Sequence, residues 1–427
     1  MSDCIHKIQT ACKTWSTASK ISRYSKCRQT IKTVQARKLQ TIIKYAYENI
    51  KYYRELFDEN KIMPQSIKDV KDLSAIPCLT KDILRQRFWD FLPSQLQRCK
   101  VSRTSGSTGM PMCILADENS RINNSAAVIR YRKIYGIKFF SGEILTPLKT
   151  PDTPDKTPYW TFLQGLHKTY YVNPYHYSNF GEQILKQLKK PAIIGITPAI
   201  KALALSIKDN ILPPIDASIV ITTGQSYDAA TGKLLENIFD APVADVYASN
   251  EAGDVAWQCP RSGCYHINDE NVIVEIENPD EHSFGEVVIT NLNRFSMPFI
   301  RYKNGDLAKK SDVPCQCGIK LSMLAEIAGR TGDNILLPDG RTIYWHHIKS
   351  VFTHQQLRQF QLIQHADLSL ELKVVIYSGA DLKQMEKIFR LRLGKIIKNV
   401  VSFKITETTN IAPCPSGKTK LVVRSSN

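Results

Sequence analysis

Two groups of residues in the sequence have the composition of chemical sites. The first is residues 104–112, TSGSTGMPM, which contains four Ser or Thr residues, two glycines, a proline and no charge. Hydroxyls, backbone N–H groups and glycines that permit close approach suit a ligand with many acceptor oxygens, such as a phosphate. Loops that bind nothing also have this composition. It is not a Walker A loop, because no lysine follows Gly109.

The second group consists of cysteines and a histidine in two short stretches, CPRSGCYH at residues 259–266 and CQCG at residues 315–318. They supply five candidates for the four positions of a tetrahedral metal site, and this nitrogen and sulfur set suits Zn²⁺. The alternative is that they are reduced structural cysteines. A catalytic metal is not expected, because four protein ligands leave no open position.

Size and composition are those of a globular enzyme with two or three domains. The chain has 427 residues, of which 43% are hydrophobic and 23% charged. No apolar run reaches the roughly 18 residues of a membrane span, and the N-terminus lacks the apolar core of a signal peptide. We therefore expect a cytoplasmic protein. Its eleven cysteines, an odd and scattered set, are expected to be free thiols apart from any metal site.

The chain is strongly basic, with a formal net charge of +17, and many of the cations lie before residue 38. Nucleic-acid binding is one interpretation of such a segment. No recognition motif for nucleic acid is present, however. A solvated basic face, or attraction to acidic substrates or an acidic partner protein, is therefore favoured.

The apolar pattern of the chain predicts alternating strands and helices around these candidate sites. Apolar steps of three and four over residues 34–57 predict a helix, and residues 74–88 predict a proline-marked turn that leads into another. Strand-like runs at residues 192–196, 218–224 and 242–249 are separated by helical stretches, which indicates a parallel α/β sheet.

After residue 265 the apolar period changes to two. NVIVEIE, GEVVITNL and PFIRY predict an antiparallel extension of the sheet. A turn-rich junction follows near Gly329, and the remaining pattern of strand, helix and strand predicts a small α+β unit. We expect an α/β fold with three parts: a basic helical extension (1–37), a large α/β domain with an antiparallel β extension (38–330) and a small C-terminal domain (331–427).

Five stretches resemble, in order, the motifs of the acyl-adenylate-forming ligases, the superfamily of acyl-CoA synthetases, adenylation domains and luciferases. They are TSGSTGMP (104–111), DVYASNEAG (245–253), RYKNGDLA (301–308), AGRTGDNI (328–335) and PSGKTK (415–420). The resemblance implies that the first stretch binds the phosphates of ATP. Its residues in that role are Ser105, Gly106, Ser107, Thr108 and Gly109.

The resemblance assigns a role to one residue in each later motif. Tyr247 would lie on adenine, and Glu251 would hold Mg²⁺. Asp306 would bind the ribose hydroxyls, with Arg330 near the ribose and phosphate. Lys418 would close on the adenylate from a C-terminal domain that rotates about the junction near Gly332.

Four further residues are implied to bind ATP or AMP. They are Gly224, Gln225, Asp245 and Asn250. The chain departs from the family pattern at three positions. Met112 stands where many members have lysine, Asn250 where threonine is usual, and Gly332 where the hinge often has aspartate.

Within the superfamily, AYENIKYYRELF, IPCLTKDIL, CYHINDENVIVEIE, PFIRYKNGD and CQCG resemble the branch of phenylacetate-CoA ligase, coenzyme F390 synthetase and CapK-like proteins. By that resemblance the zinc ligands are Cys259, His266, Cys315 and Cys317, with Cys264 as the alternate.

The resemblance implies an ATP- and Mg²⁺-dependent activation of a carboxylic acid to acyl-AMP, with release of pyrophosphate. The acyl group then passes to CoA, to the phosphopantetheine of an acyl carrier protein, or to an amine. Aromatic residues within 157–179 suggest an aromatic acid, although they would equally suit core packing. Two alternatives are an amide ligase of capsule or secondary-metabolite biosynthesis, and an inactive homologue that binds nucleic acid or another polyanion.

Overall fold

The structure is a computed structural model. It describes residues 2–96, 98–103, 112–138, 142–146, 159–161, 167–172, 188–332, 334–348, 350–352, 354, 356–377, 379–397, 401–412 and 420–425. The nine cysteines whose side chains are described are free thiols. None of the helices in these ranges combines the length and hydrophobicity needed to cross a membrane.

Helices dominate the N-terminal quarter of the chain and recur between the strands. The α-helices are α1 (Ser2–Tyr24), α2 (Arg28–Asn49), α3 (Lys51–Glu59), α4 (Lys81–Gln86), α5 (Glu118–Ile134), α6 (Thr197–Lys208), α7 (Ala229–Phe239), α8 (Trp345–Ile348) and α9 (Leu382–Ile397). Short 3₁₀ helices cover Pro64–Ser66, Val70–Ala75 and Phe88–Phe91.

The single helix predicted over residues 34–57 is wrong in its bounds. Ile50 has extended backbone angles and separates α2 from α3, and α2 begins at Arg28 rather than at residue 34. Because α2 crosses residue 37, the predicted end of the N-terminal extension lies inside a helix. The first helix, α1, packs on α5 through a cluster that includes Ala18, Ile21 and Ala127.

Among the described residues, twelve strands form the central sheet, and the apolar pattern predicts five of them. Up to the end of the parallel part the strands are β1 (Cys99–Arg103), β2 (Cys113–Asp117), β3 (Gly142–Thr146), β4 (Tyr159–Thr161), β5 (His167–Tyr171), β6 (Ala192–Ile196), β7 (Ile219–Thr223) and β8 (Val243–Ser249). The antiparallel part adds β9 (Gly253–Gln258), β10 (Tyr265–Ile267), β11 (Val272–Glu277), β12 (Phe284–Asn291), β13 (Tyr302–Ser311) and β14 (Met323–Arg330).

The order in the sheet is β11-β12-β13-β14-β10-β9-β8-β7-β6-β3-β5-β4, and β1 and β2 form a separate antiparallel hairpin. Strands β5, β3, β6, β7 and β8 are mutually parallel, as predicted. From β8 to β11 every pairing is antiparallel, which confirms the antiparallel extension. The stretch PFIRY is an exception, because β13 begins only at Tyr302.

Both faces of the parallel part are covered, which explains its nearly continuous apolar runs. In β7, Val220 faces a cluster that includes Leu203 of α6 and Leu235 of α7. Its neighbours Ile219 and Ile221 face the opposite cluster, which includes Val128 of α5. Because these strands are parallel, their carboxyl ends lie at one edge of the sheet.

The C-terminal unit is the predicted α+β fold, with two strands more than the sequence indicated. It contains β17 (Leu357–Gln364), β18 (Leu370–Ile376), β19 (Phe403–Glu407) and β20 (Val422–Arg424), in the order β19-β18-β17-β20, after the hairpin β15 (Asn334–Leu336) and β16 (Thr342–Tyr344). Helix α9 contributes Met385, Phe389 and Leu393 to the core beneath this sheet.

Polar contacts join this unit to the rest of the chain. Arg358 pairs with Asp209 at 3.2 Å, and the Lys208 ammonium lies 4.3 Å from the centre of the Tyr377 ring. The N–H of Thr331 donates to the carbonyl of Gly305 at 2.9 Å.

Candidate active site and cysteine–histidine cluster

The candidate nucleotide site lies where the parallel strands β7 and β8 end. Gly224 and Gln225 follow β7, and Asn250 and Glu251 follow β8. Because these two strands are adjacent and parallel, both pairs lie at the same edge of the sheet, where ligands bind in open α/β folds. The φ of Gly224 is +76°, a left-handed conformation that favours glycine.

The turn from β8 into β9 is held in place by three side chains from two other parts of the chain. Arg294 donates to the carbonyl of Asn250 at 2.9 Å, and Asn291 donates to the carbonyl of Ala252 at 3.1 Å. Gly253 has a φ of +76°, and a Cβ there would lie 2.5 Å from the Asn124 amide oxygen. Only glycine fits this position, so the turn has little freedom.

Glu251 lies in this turn, and its carboxylate accepts few hydrogen bonds. The hydroxyl of Tyr302 donates to its Oε1 at 3.2 Å, and within the described part of the chain no other donor contacts the carboxylate. Arg294 is 5% exposed, and burial lowers its pKa to about 10 while Asp117 and Glu251 act in the opposite direction. Arg294 therefore stays cationic at neutral pH, beside a carboxylate with unused lone pairs.

A hydrogen-bonded group joins β8 to the strands β13 and β14. Tyr247 donates to Asp306 Oδ2 at 2.7 Å, and Asn304 donates to the same oxygen at 2.7 Å. Arg330, which faces Asp306 across β13 and β14, pairs with Asp306 Oδ1 at 3.0 Å. The structure therefore brings Tyr247, Asp306 and Arg330 together, although the Tyr247 side chain is buried.

Asp245 lies on β8 two residues before Tyr247 and is engaged within the sheet. Its carboxylate accepts hydrogen bonds from Thr222 at 2.6 Å and from Tyr265 at 3.0 Å, and the residue is 5% exposed. Burial raises the pKa of Asp245 to about 6. These contacts give Asp245 a structural role, and its predicted contact with the nucleotide stays a prediction.

The structure also gathers the four residues chosen as zinc ligands. Cys259 follows β9, His266 lies on β10, and Cys315 and Cys317 lie between β13 and β14. Their ligand atoms all lie within 4.8 Å of one another. The Sγ atoms of Cys259 and Cys315 are 3.6 Å apart, and Cys317 Sγ is 3.2 Å from His266 Nε2.

This spacing fits one tetrahedral ion. Two thiolates at about 2.3 Å from zinc lie about 3.8 Å apart in tetrahedral geometry. Burial lowers the pKa of His266 to about 4, so its imidazole is neutral, as metal binding requires. Cys264 is outside the group, and its carbonyl accepts from the Cys259 N–H at 2.7 Å.

Known proteins with similar sequences are ligases. The chain is 24% identical to the phenylacetate-coenzyme A ligase of Thermus thermophilus, over 82% of both chains. It is 24% identical to the phenylacetate-coenzyme A ligase of Escherichia coli, over 72% of both chains. No family model matches the chain.

The fold comparison agrees with the sequence comparison. A crystal structure of 2-hydroxyisobutyryl-CoA ligase in the postadenylation state, in complex with 2-HIB-AMP, aligns with a TM-score of 0.75 and 18% identity. The alignment covers 93% of this chain and 89% of that one. The chain is therefore similar in sequence to phenylacetate-coenzyme A ligases and similar in fold to an acid–CoA ligase.

Some residues that the superfamily motifs predict lie outside the described residues. These are Ser105, Gly106, Ser107, Thr108, Gly109 and Lys418. Residues 104–112, the predicted Ser/Thr-rich loop, lie in the sequence between strands β1 and β2. These strands pair in antiparallel register from Cys99 with Asp117 to Arg103 with Cys113. Of the aromatic stretch 157–179, only residues 159–161 and 167–172 are described.

The motifs of this superfamily did not point to several residues that complete the site. Arg294 lies in a loop with no motif, and Tyr302 and Asn304 stand beside Asp306 in the motif without a predicted role. For Asn304 and Tyr302 the available signal was their proximity to Asp306. For Arg294 the sequence has no signal, because its contact with Asn250 spans 44 residues.

We expect Asp245→Asn to stabilise the protein above pH 6. The native state holds the Asp245 proton up to about pH 6, whereas an unfolded chain releases it near pH 4, so wild-type stability falls as pH rises through this window. The amide removes that penalty. The gain should grow from pH 4 to pH 8 and reach up to about 3 kcal/mol in the free energy of unfolding by urea.

Asp216→Asn, at an exposed aspartate, is the control and should change the free energy of unfolding little at either pH. A gain for Asp245→Asn that does not depend on pH, or a loss at pH 8, would contradict the assignment of a buried, destabilised carboxylate.

Proposed function

We propose that the chain is an ATP-dependent, AMP-forming acid–CoA ligase. The observation that carries the proposal is the convergence of Glu251, Asp306 and Arg330 at the carboxyl edge of the parallel strands. Curated relatives over most of the chain are named phenylacetate-coenzyme A ligase, which supports an organic acid as substrate and CoA as acceptor. We further propose that the acid is aromatic.

The first half-reaction requires charge neutralisation above all. The acid's carboxylate oxygen attacks the α-phosphorus of ATP, the bond from that phosphorus to the bridging oxygen breaks, and pyrophosphate leaves. The products are an acyl-AMP anhydride and pyrophosphate. Because the attack brings two anions together, alignment and cationic groups lower its barrier most effectively.

Glu251 is the proposed ligand of Mg²⁺. The fit rests on its carboxylate, which Tyr302 orients through one hydrogen bond while lone pairs remain for a cation. Magnesium is commonly held by one or two carboxylates together with substrate phosphates. When bound, the ion would neutralise phosphate charge, and the buried Arg294 would fix the turn that presents Glu251.

The residues on the other side of the site are proposed to bind the adenosine of ATP. Asp306 is proposed to accept hydrogen bonds from the ribose hydroxyls, with Arg330 beside it near the phosphate. Tyr247 would lie against adenine, and Gly224, Gln225 and Asn250 would line the same edge. Asp306 is suited to this role because Tyr247, Asn304 and Arg330 fix its orientation.

Two proposed components come from the sequence alone. The loop from Ser105 to Gly109 would bind the phosphates of ATP, and Lys418 would contact the carboxylate and α-phosphate oxygens. Lys418 belongs to the C-terminal unit, whose polar contacts with the large sheet suit a domain that moves between half-reactions.

In the second half-reaction the CoA sulfur attacks the acyl carbon and AMP leaves. The net charge of +17 favours an acidic acceptor such as CoA. A carrier-protein thiol or an amine would use the same adenylate and differ only in this step.

The test is carboxylate-dependent exchange of labelled pyrophosphate into ATP. Wild-type protein should catalyse exchange with an aryl acid and should form acyl-CoA when CoA is added. Glu251→Gln should lower kcat for exchange at least about 100-fold, because the cation ligand is lost. Glu281→Gln, at an exposed glutamate, should retain wild-type rates.

Wild-type exchange that is absent with every acid in an aryl, indolyl, fatty and amino acid series would overturn the proposed activity. Full exchange by Glu251→Gln would overturn the role of Glu251 alone.

We also propose that Cys259, His266, Cys315 and Cys317 hold a structural zinc ion. Their ligand atoms lie within 4.8 Å of one another, and they come from β9, β10 and the segment between β13 and β14. Four protein ligands complete a tetrahedral shell, so the ion would tie these elements together and take no part in the chemistry.

Metal analysis of purified protein should give about one zinc per chain. Cys315→Ser should lower the zinc content and the thermal unfolding midpoint, because a ligand is lost. Cys264→Ser is the matched control, a cysteine five residues from Cys259 that lies outside the group. Protein that contains no zinc, or a Cys264→Ser variant that loses as much zinc as Cys315→Ser, would contradict the proposed ligand set.

A further inference from the structure

Lys38 of α2 contacts both segments that hold the turn between β8 and β9. One segment is in α5, where Asn124 Oδ1 accepts from the Asp254 N–H at 2.7 Å. The other is the loop after β12, where Arg294 donates to the carbonyl of Asn250 at 2.9 Å. In each segment, the residue one position earlier is a hydrogen-bond partner of Lys38.

The ammonium of Lys38 donates to three carbonyl oxygens. It contacts Asn123 Oδ1 at 3.2 Å, Asn293 Oδ1 at 2.8 Å and the main-chain carbonyl of Glu270 at 2.8 Å. All three acceptors belong to buried residues. Because an ammonium has three N–H donors, these contacts can use all of them. Lys38 therefore joins α5, the loop after β12 and the segment before β11 at one point.

Asn293 connects Lys38 to the turn by two routes. Its N–H donates to Asn291 Oδ1 at 2.9 Å, and the Asn291 amide donates to the carbonyl of Ala252 at 3.1 Å. Arg294 follows Asn293 directly in the sequence. A hydrogen bond that fixes Asn293 therefore helps to fix both of the donors that this loop supplies to the turn.

The position of α2 does not depend on the charge of Lys38. Leu39, Ile42 and Ile43 of the same helix are fully buried in an apolar core. Those contacts are sufficient to hold the helix against the domain. The acceptors of Lys38, by contrast, are polar groups that are costly to bury without a donor. Lys38 therefore stabilises the segments that it contacts more than its own helix.

We infer that Lys38 is a positioning residue for Glu251. It acts through Asn123 and Asn293, whose chain neighbours hold the turn in which Glu251 lies. The inference rests on the proposed function, since the position of Glu251 affects catalysis only if its carboxylate holds Mg²⁺. A turn that is ordered in advance binds a cation more tightly, because binding then carries no ordering cost.

The first measurement is amide hydrogen exchange in the protein without ATP or Mg²⁺, in peptides that span residues 250–254. Lys38→Met nearly keeps the length of the side chain and removes its three donors. Exchange in these peptides should become about 10- to 100-fold faster, because both segments that hold the turn lose a shared donor. Peptides from β17 and β18, in the C-terminal unit, should exchange as they do in wild type.

The second measurement is the Mg²⁺ dependence of pyrophosphate exchange. In Lys38→Met, the Mg²⁺ concentration for half-maximal exchange should rise about 5- to 20-fold, because only part of the protein then has the ordered turn. The kcat at saturating Mg²⁺ should stay within about twofold of wild type. A lysine that only stabilised the fold would change the amount of active protein and leave the half-maximal concentration unchanged.

Lys44→Met is the matched control, since Lys44 lies on the same helix and its side chain is 74% exposed. It removes the same charge and should change neither measurement. Asn123→Ala is a milder variant, because it removes one acceptor of Lys38 and leaves the other two. It should shift both measurements in the same direction by a smaller factor, and it provides the test if Lys38→Met does not fold.

The inference is overturned if the turn exchanges as slowly in folded Lys38→Met or Asn123→Ala as it does in wild type. Faster exchange spread evenly through the large domain, or a lower kcat with an unchanged Mg²⁺ requirement, would also overturn it, because Lys38 would then stabilise the fold and not the turn. Wild-type protein that catalyses no pyrophosphate exchange with any acid would instead refute the proposed function. The hydrogen-exchange result would still decide whether Lys38 orders the turn.

Discussion

The turn between β8 and β9 is the constraint on which the candidate site depends. At this point the sheet changes from parallel to antiparallel pairing, and Glu251 lies at the change. Three side chains from two separate segments hold the turn. Arg294 and Asn291 donate to its carbonyls, and Asn124 accepts from the Asp254 N–H. A carboxylate on a mobile loop would have to be ordered by its ligand, whereas this one is already positioned.

A buried polar region beneath the turn supports this arrangement. Asn268, Asp269, Glu270 and Asn271 are all 5% exposed or less, although four consecutive polar residues would ordinarily be assigned to a surface turn. Their partners come from distant helices. Arg130 of α5 pairs with Glu270 at 2.8 Å, and Lys38 of α2 donates to the carbonyl of Glu270 at 2.8 Å. Because such groups are costly to bury unpaired, the helices and the sheet must assemble together.

The apolar pattern was sufficient to predict the α/β class, three parallel strands and an antiparallel extension. Strands β6, β7 and β8 were predictable because helices cover both faces of the sheet and each strand is a short apolar run. The pattern failed in PFIRY, where Phe299 and Ile300 are buried in the core without joining the sheet. An apolar run indicates that its residues are buried, but it does not establish that they pair as a strand.

The candidate site was predictable only where its residues lie in short motifs. Glu251 and Asp306 each stand in one, and the cysteines and histidine have the residue types of a metal site. Arg294 reaches the site through a contact that no local pattern encodes. The carbonyl of Asn250 that it contacts is 44 residues away along the chain.

A crystal structure with a non-hydrolysable acyl-adenylate analogue tests the central claim most directly. The ribose hydroxyls should lie within hydrogen-bond distance of Asp306, with the phosphate-like group between Glu251 and the Ser/Thr-rich loop. An analogue bound elsewhere, or Glu251 and that loop facing away from each other with no space for adenosine between them, would contradict it.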